Sequence, residues 1–139
     1  MIILDTSGII AALFANQSRH EECAETLLAA EPPRILSPFV LAEVDYLISK
    51  FGGVETELSF LSEFERGAYE LVSFDKDDVK EARKIISKYS RLRIGLADAS
   101  IIVLANRYET QDVLTLDERH FRAIRLENRK TVRVLPADG

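Results

Sequence analysis

Gly95-Leu-Ala-Asp-Ala-Ser-Ile-Ile-Val-Leu-Ala105 is the stretch on which the interpretation of this 139-residue chain depends. Nearly all of its residues are apolar, so a helix here would be buried over most of its surface. Asp98 lies near the start of that helix, and a buried carboxylate is costly unless something compensates its charge. Two interpretations are open: Asp98 is satisfied by free backbone N–H groups and the helix dipole, or it holds a metal ion.

Short apolar runs alternate with helical patterns along most of the chain. Strands are predicted at residues 1–4, 34–36, 69–73, 112–115 and 129–135. Helices are predicted at residues 6–14, 20–30, 38–50, 55–66, 76–89 and 95–108, with a helical turn at 117–121. The alternation predicts a parallel sheet with helices on both faces. Because the length suits one core and no linker or repeat interrupts it, we expect a single domain over residues 1–139.

Composition excludes several classes of protein. Apolar residues make up 47% of the chain, which is typical of a folded globular domain. Cys23 is the only cysteine, so an intramolecular disulfide and a cysteine-rich zinc site are excluded, and a reducing cytoplasm is expected. No apolar run is long enough to span a membrane, and the N-terminal residues lack the basic region of a signal peptide.

The charges are divided unevenly along the chain. Residues 1–75 carry 4 Lys/Arg and 13 Asp/Glu, a net charge of −9, whereas residues 76–139 carry 14 Lys/Arg and 10 Asp/Glu, a net charge of +4. The C-terminal part therefore offers a basic surface to a nucleic acid, although solvated helix faces without a partner give the same bias.

Three further acids fall where a parallel sheet would bring them near Asp98. Asp5 and Asp117 directly follow predicted strands, and sites in open parallel sheets form at the carboxyl ends of strands. Glu43 lies at the margin of the apolar stripe of its helix, whereas Asp45 faces another side and is expected to be an ordinary surface acid. Ordinary roles remain open: Asp5 and Asp117 as helix caps, and Glu43 as a glutamate reaching for solvent.

A metal site explains the four acids together. Close carboxylates repel one another, so they either raise their pKa values or bind a cation. Oxygen ligands suit Mg²⁺ or Mn²⁺, and such ions activate water and stabilise the leaving oxygen in phosphodiester cleavage. His20 and His120 are not spaced as a pair of ligands, so surface positions are expected for both.

The chain resembles the PIN-domain ribonucleases, and among them the VapC-type toxins of prokaryotic toxin–antitoxin pairs. Four motifs carry the resemblance in the same order over almost the whole chain: Ile3-Leu-Asp-Thr-Ser7, Ser37-Pro-Phe-Val-Leu-Ala-Glu-Val44, Gly95-Leu-Ala-Asp-Ala-Ser100 and Leu114-Thr-Leu-Asp-Glu-Arg-His-Phe121. The resemblance implies a three-layer α/β/α sandwich around a parallel sheet, and a Mg²⁺- or Mn²⁺-dependent endoribonuclease. The residues that match the family's acidic, metal-binding and catalytic cluster are Asp5, Glu43, Asp98 and Asp117.

The resemblance also implies a substrate. Thr6 and Thr115 match hydroxyl positions that orient the acids or the RNA. The family cleaves structured RNA of the translation machinery, such as tRNA or large-subunit rRNA, and the segment 93–98 is similar to the rRNA-cleaving members. Basic residues near the predicted site are then expected to hold RNA phosphates: Arg91, Arg93, Arg119, His120, Arg122 and Arg125.

A cognate antitoxin that wraps the toxin and blocks the acidic site is also implied by the resemblance. The two helices between Pro38 and Arg66 are the expected docking surface. The second of them carries more apolar residues than one narrow stripe needs, namely Leu58, Phe60, Leu61 and Phe64. Some of these are expected to be exposed for the antitoxin or for a homodimer, or else all of them pack in the core.

Two other functions stay open. One is a non-catalytic RNA- or protein-binding module on a PIN-like fold, which the intact set of four acids disfavours. The other is a phosphotransfer enzyme that uses a strand-end aspartate as its nucleophile. Such sites often need a second acid beside the first, whereas Thr6 and Ser7 follow Asp5 here.

Overall fold

The computed structural model describes residues 1–139, and five strands alternate with six helices along them. The elements are β1 (Ile2–Leu4), α1 (Thr6–Leu13), α2 (His20–Ala29), β2 (Arg34–Leu36), α3 (Pro38–Glu65), β3 (Glu70–Leu71), α4 (Lys76–Lys88), a 3₁₀ turn (Ser90–Leu92), α5 (Leu96–Tyr108), β4 (Asp112–Leu114), α6 (Glu118–Ala123) and β5 (Arg133–Leu135). The predicted order of elements is confirmed, and most boundaries agree within a few residues.

All neighbouring strands run parallel, in the order β3-β2-β1-β4-β5. Central β1 places Ile3 opposite Ile35 on one side and opposite Val113 on the other. The chain first builds the sheet outward from β1 through β2 to β3, and then returns to the other side of β1 with β4. The direction in which strands are added to the sheet therefore reverses between β1 and β4. The carboxyl ends of these two strands form the switch point, where open parallel sheets bind their ligands.

The strands of the sheet are covered on both faces, and this explains their continuous apolar runs. Ile3, Leu4, Val113 and Leu114 have no exposed surface. Helix α5 packs against β1 and α4, and every residue from Ala99 to Ala105 is buried. The predicted parallel α/β/α architecture is confirmed, with α5 as a largely buried helix behind the switch point.

Gly53 interrupts the helical region between Pro38 and Glu65. Its φ of 78° and ψ of 177° lie outside the helical region, so α3 consists of two segments separated at this glycine. The prediction of two helices separated at Gly52-Gly53 is therefore close to the structure. A positive φ of this kind is readily adopted only by glycine.

Some details of the sequence prediction are wrong. The sequence pattern of the helix at 20–30 predicts that Ala24, Leu27 and Leu28 face inward, but Leu28 is 79% exposed, because Leu27 occupies the buried position of α2. The predicted strand at 129–135 starts only at Arg133, since the preceding residues form a turn closed by an isolated antiparallel bridge between Arg125 and Thr131. None of the helices has both the length and the apolar character needed to cross a membrane.

Candidate metal and active site

Asp5 is almost completely buried at the end of β1, with 6% of its surface exposed. It occupies the N-cap position of α1, yet its side chain caps no backbone N–H group. Its Oδ2 instead accepts hydrogen bonds from Thr115 Oγ1 at 2.6 Å and Ser7 Oγ at 3.1 Å. Burial raises the pKa of Asp5 to about 6, although these hydrogen bonds act in the opposite direction. The structure thus decides against the helix-cap interpretation of Asp5.

Two hydroxyl groups connect the ends of the central strands. Thr115 Oγ1 accepts a hydrogen bond from Asp117 N at 2.9 Å, and Ser7 Oγ accepts one from Leu116 N at 3.0 Å. Ser7 therefore contributes to the site, whereas the sequence predicts only the start of a helix at this position. Its place in the motif after Asp5, on the first turn of α1, was the one available signal.

Gly8 allows α1 to approach β4 closely enough for these contacts. A Cβ atom at this position would lie 2.5 Å from the carbonyl oxygen of Leu114. No side chain larger than hydrogen fits without a shift of the backbone. Gly8 therefore helps to set the distance between Asp5 and the segment that carries Asp117.

Asp98 is half-buried in the first turn of α5 and makes no capping hydrogen bond. Burial raises its pKa; the negative charges of Asp117 and Glu43 act in the same direction, and His120 opposes them. The charge of Asp98 also contributes to the raised pKa of Asp5. Asp98 is therefore the acid whose charge interacts with each of the other three.

Asp117 uses its two carboxylate oxygens differently. Oδ1 caps α6 by accepting a hydrogen bond from His120 N at 3.1 Å, so the predicted capping role exists. Oδ2 lies 2.9 Å from Nδ1 of His120, and this nitrogen is also 3.4 Å from Oδ2 of Asp98. Asp98, Asp117 and His120 each present one ligand atom, and the three atoms lie within 4.8 Å of one another.

The expected surface positions of the two histidines are wrong. His120 is half-buried between Asp98 and Asp117. His20 is half-buried as well, with its Nδ1 2.7 Å from the carbonyl oxygen of Ala11.

Glu43 enters the cluster from α3 and remains exposed. Its Oε1 accepts a hydrogen bond of 2.7 Å from Thr6 Oγ1, so Thr6 orients an acid of the cluster. Asp45 is not the ordinary surface acid that was expected. It is half-buried, its Oδ1 has no hydrogen-bond partner, and the interaction with its carboxyl group raises the pKa of Glu57.

A buried pair of serines connects the helices that carry Glu43 and Asp98. Ser37 caps α3, Ser100 lies on α5, and their hydroxyl oxygens are 2.7 Å apart without solvent exposure. Ser100 Oγ donates to the carbonyl oxygen of Ala97 at 2.6 Å, so the Ser37 hydroxyl donates to Ser100.

No lysine or arginine forms an ion pair with any of the four acids. The arginines and lysines form their salt bridges elsewhere in the chain, and the imidazole of His120 is the one nitrogen-bearing side chain paired with the cluster within 4 Å. Four carboxylates with so little compensation within the chain are suited to an external cation.

The basic residues around the cluster fall into two groups. Arg91, Arg93, Arg119 and Arg125 are exposed, and none of them forms an ion pair within the chain. Arg122, in contrast, contacts Glu118 and Asp138 through its guanidinium group, and both acids raise its pKa. The guanidinium group of Arg122 is therefore already paired within the chain, unlike those of the other four arginines.

The arrangement can be compared with known proteins. The model of the PIN-domain family matches residues 2–126. Ribonuclease VapC26 of Mycobacterium tuberculosis is 41% identical over 124 residues, which cover 89% of this chain and 92% of that protein. The chain belongs to the PIN-domain family. Within this family it is similar to the VapC ribonucleases.

Solved structures show the same PIN-domain fold. VapC20 of Mycobacterium tuberculosis, described as a sarcin–ricin loop cleaving toxin, has a TM-score of 0.78 at 17% identity, covering 86% of this chain and 92% of its own. A toxin–antitoxin complex from Klebsiella pneumoniae has a TM-score of 0.68 at 20% identity, with 89% and 92% covered. At these identities the likeness supports the fold alone.

Proposed function

We propose that this PIN domain is an endoribonuclease that depends on Mg²⁺ or Mn²⁺ held by Asp5, Glu43, Asp98 and Asp117. The observation that carries the proposal is the acid cluster without lysine or arginine partners at the switch point of the sheet. The donor set fits such an ion, because carboxylate oxygens are the ligands that hard divalent cations prefer. The partly buried acids have raised pKa values that a bound cation would lower again.

Hydrogen bonds occupy one carboxylate oxygen of Asp5 and one of Asp117, and they leave the other oxygen of each for a metal ion. Thr115 and Ser7 hold Oδ2 of Asp5, which leaves Oδ1 free to act as a ligand. Capping of α6 occupies Oδ1 of Asp117 and leaves Oδ2. A divalent ion in this position supplies the activation of water and the charge neutralisation that phosphodiester hydrolysis needs.

Asp98 and Glu43 come from helices, and the buried serine pair keeps these helices in register. Asp98 reaches the cluster on the rigid, buried α5 and is the acid expected to tolerate substitution least. Glu43 is exposed and oriented by Thr6, so we assign it to the outer side of the site, next to the attacking water or a second ion.

The substrate class is proposed to be structured RNA of the translation machinery, either tRNA or large-subunit rRNA. What supports it is the VapC relationship together with unpaired arginines beside an acidic site. Arg91 and Arg93 lie in the segment shortly before α5, which begins at Leu96. Arg119 lies two residues after Asp117 and directly before His120. Phosphate contacts by these side chains would offset the repulsion between RNA and the acids.

The decisive experiment compares Asp98→Asn with Asp77→Asn, which changes an exposed carboxyl group outside the cluster. We expect the first variant to lose RNA cleavage by more than the roughly 10–100-fold typical of outer-shell partners, and the second to keep it. Cleavage by the parent protein should stop in EDTA and return with Mn²⁺ or Mg²⁺.

Full cleavage in EDTA, or an unimpaired Asp98→Asn variant, contradicts the proposal. Calorimetry with Mn²⁺ distinguishes a metal-dependent endoribonuclease from a non-catalytic binding module. Neither metal binding nor cleavage of any RNA would favour a non-catalytic binding module on the same fold.

We further propose that the partner antitoxin docks in an apolar groove between α1, α2 and the second segment of α3. The groove encloses about 500 Å³, and its apolar lining includes Leu13, Phe14, Leu27, Leu28 and Phe60. Leu28 is largely exposed at this groove, and Leu58 of α3 is 60% exposed, whereas Phe60 is buried. The antitoxin docking surface that is predicted on the helices between Pro38 and Arg66 is thereby extended to α1 and α2.

The docking proposal is tested with the cognate antitoxin. Leu28→Asp should abolish co-purification of the antitoxin, because it places a charge in the apolar contact. Val79→Asp on α4 changes a smaller exposed apolar side chain away from the groove and should leave the complex intact. Equal binding by both variants would contradict this docking site.

Three further properties are part of the proposal. A homodimer is supported by apolar side chains such as Tyr46 and Leu71 that are exposed outside the groove, and analytical ultracentrifugation tests it. A single domain over residues 1–139 is supported by the pairing of β5, beyond the family match, with β4. A cytoplasmic location agrees with an RNA substrate and with Cys23 as a free, buried thiol, and cell fractionation tests it.

A further inference from the structure

His120 is the one member of the site that the acid-based proposal does not use. Its Nδ1 is buried and has no hydrogen-bond partner, although two carboxylate oxygens lie nearby. Asp117 Oδ2 is at 2.9 Å and Asp98 Oδ2 at 3.4 Å, and neither contact has the alignment of a hydrogen bond. A buried polar atom without a partner in a native fold calls for a physical explanation.

The separations between these atoms agree with those of ligands on one metal ion. In an octahedral site with bonds of about 2.1 Å, adjacent ligand atoms lie about 3.0 Å apart. The two contacts of Nδ1 are close to this distance, and all three atoms lie within 4.8 Å of one another. The imidazole lone pair, which neither oxygen engages, is available to such an ion.

The local structure fixes the ring in this place. The backbone N–H of His120 donates to Oδ1 of Asp117, so the histidine and the aspartate are held together by the first turn of α6. The next residue, Phe121, has no exposed surface and anchors α6 to the core. His120 therefore does not depend on a flexible surface loop for its orientation.

We propose that His120 binds the catalytic divalent ion through Nδ1, together with Asp98 and Asp117, and that this nitrogen favours a first-row transition ion over Mg²⁺. The inference rests on the proposed metal dependence and adds a ligand that an oxygen-only site lacks. Mg²⁺ takes oxygen ligands almost exclusively, whereas imidazole is a good ligand for transition metals. Mn²⁺ is the probe, because it suits both carboxylate and imidazole ligands and is paramagnetic.

The experiment is pulsed electron paramagnetic resonance of the Mn²⁺-loaded protein. We expect ¹⁴N modulation from a coordinated imidazole in the parent protein and in His20→Gln, and its loss in His120→Gln. The chain has only two histidines, so His20→Gln is the matched control. Parent protein carrying ¹⁵N-labelled histidine should show the corresponding ¹⁵N signal, which supports the proposal even if His120→Gln fails to fold.

Calorimetry adds a readout of metal preference. The ratio of the Mg²⁺ to the Mn²⁺ dissociation constant should fall in His120→Gln by about tenfold or more, because the lost ligand affects Mn²⁺ more than Mg²⁺. Mn²⁺ binding without histidine nitrogen coupling in the parent protein overturns the role of His120 and leaves the metal-dependent function standing. Absence of Mn²⁺ binding to the parent protein overturns both.

Discussion

Thr115 Oγ1 donates a 2.6 Å hydrogen bond to Oδ2 of Asp5 across the neighbouring ends of β4 and β1. The same oxygen accepts a hydrogen bond from the backbone N–H of Asp117. One buried hydroxyl group therefore positions two acids of the cluster that are far apart in the sequence.

Thr115→Val should weaken the site while preserving its shape. Valine replaces the hydroxyl with a methyl group, so Asp5 loses a hydrogen bond that stabilises its charged form, and Asp117 N loses its acceptor. We expect Mn²⁺ affinity measured by calorimetry to fall about 10–100-fold, as is typical when an outer-shell partner is removed. Thr115→Ser retains the hydroxyl and should behave like the parent; equal affinities for all three proteins would contradict the assignment.

Asp5 should make the metal-free protein less stable as the pH rises. Its pKa is about 6 in the folded protein and 3.8 in the unfolded chain, so between these values the folded state binds more protons. The unfolding free energy should therefore decrease from about pH 4 to pH 6, by about 3 kcal/mol in total for a shift of this size.

Asp5→Asn cannot lose a proton and isolates this effect. Urea unfolding in EDTA should show the variant gaining stability relative to the parent as the pH rises from 4 to 7. Because all other groups titrate in both proteins, the difference between the two curves reports Asp5. Parallel curves would show that burial does not raise the pKa of this carboxyl group.

Gly8→Ala should destabilise the fold even though alanine is the better helix former. The added methyl group meets the backbone of Leu114, and relief of such a contact costs about 1–3 kcal/mol. Gly95→Ala is the control, because a Cβ there has no atom within 4 Å and its φ of −95° suits any residue. Thermal unfolding measures both, and similar melting temperatures for the two variants would contradict the close approach of α1 to β4.

Ser100→Ala should destabilise the interface between α3 and α5. The Ser37 hydroxyl would lose its acceptor in a fully buried place, and such an unsatisfied group costs about 1–3 kcal/mol. Ser18→Ala, at an exposed serine, should change the unfolding free energy little. If denaturant unfolding shows no difference between these variants, the serine pair does not contribute to stability.

The sheet was predictable because parallel strands buried on both faces leave a continuous apolar run in the sequence. Leu28 shows where this reasoning fails, since apolarity alone does not decide which of two adjacent leucines a surface helix buries. The end of the sheet was also missed: residues 129–132 have the composition of a strand but form a turn, in which Arg129 adopts a positive φ of 68°.

The acids were predictable because a strand end and a helix start are visible in the sequence. His120 was missed as a neighbour of Asp98, since only the packing of α6 brings the two together. The ion pair of Arg122 with Asp138 was also not predictable, because Asp138 belongs to the segment after β5. Contacts of this kind depend on tertiary structure and leave no local signal.

The pairing of β1 with β4 also has a consequence for synthesis on the ribosome. Asp5 leaves the exit tunnel before Thr115, Asp117 and His120 are made, because 110 residues separate Asp5 from Thr115. A nascent chain, or one released by premature termination before β4, therefore holds Asp5 without Thr115 and lacks both Asp117 and His120. The proposed nuclease site is therefore complete only after β4 and α6 have been synthesised, and a partner can be made ready during that interval.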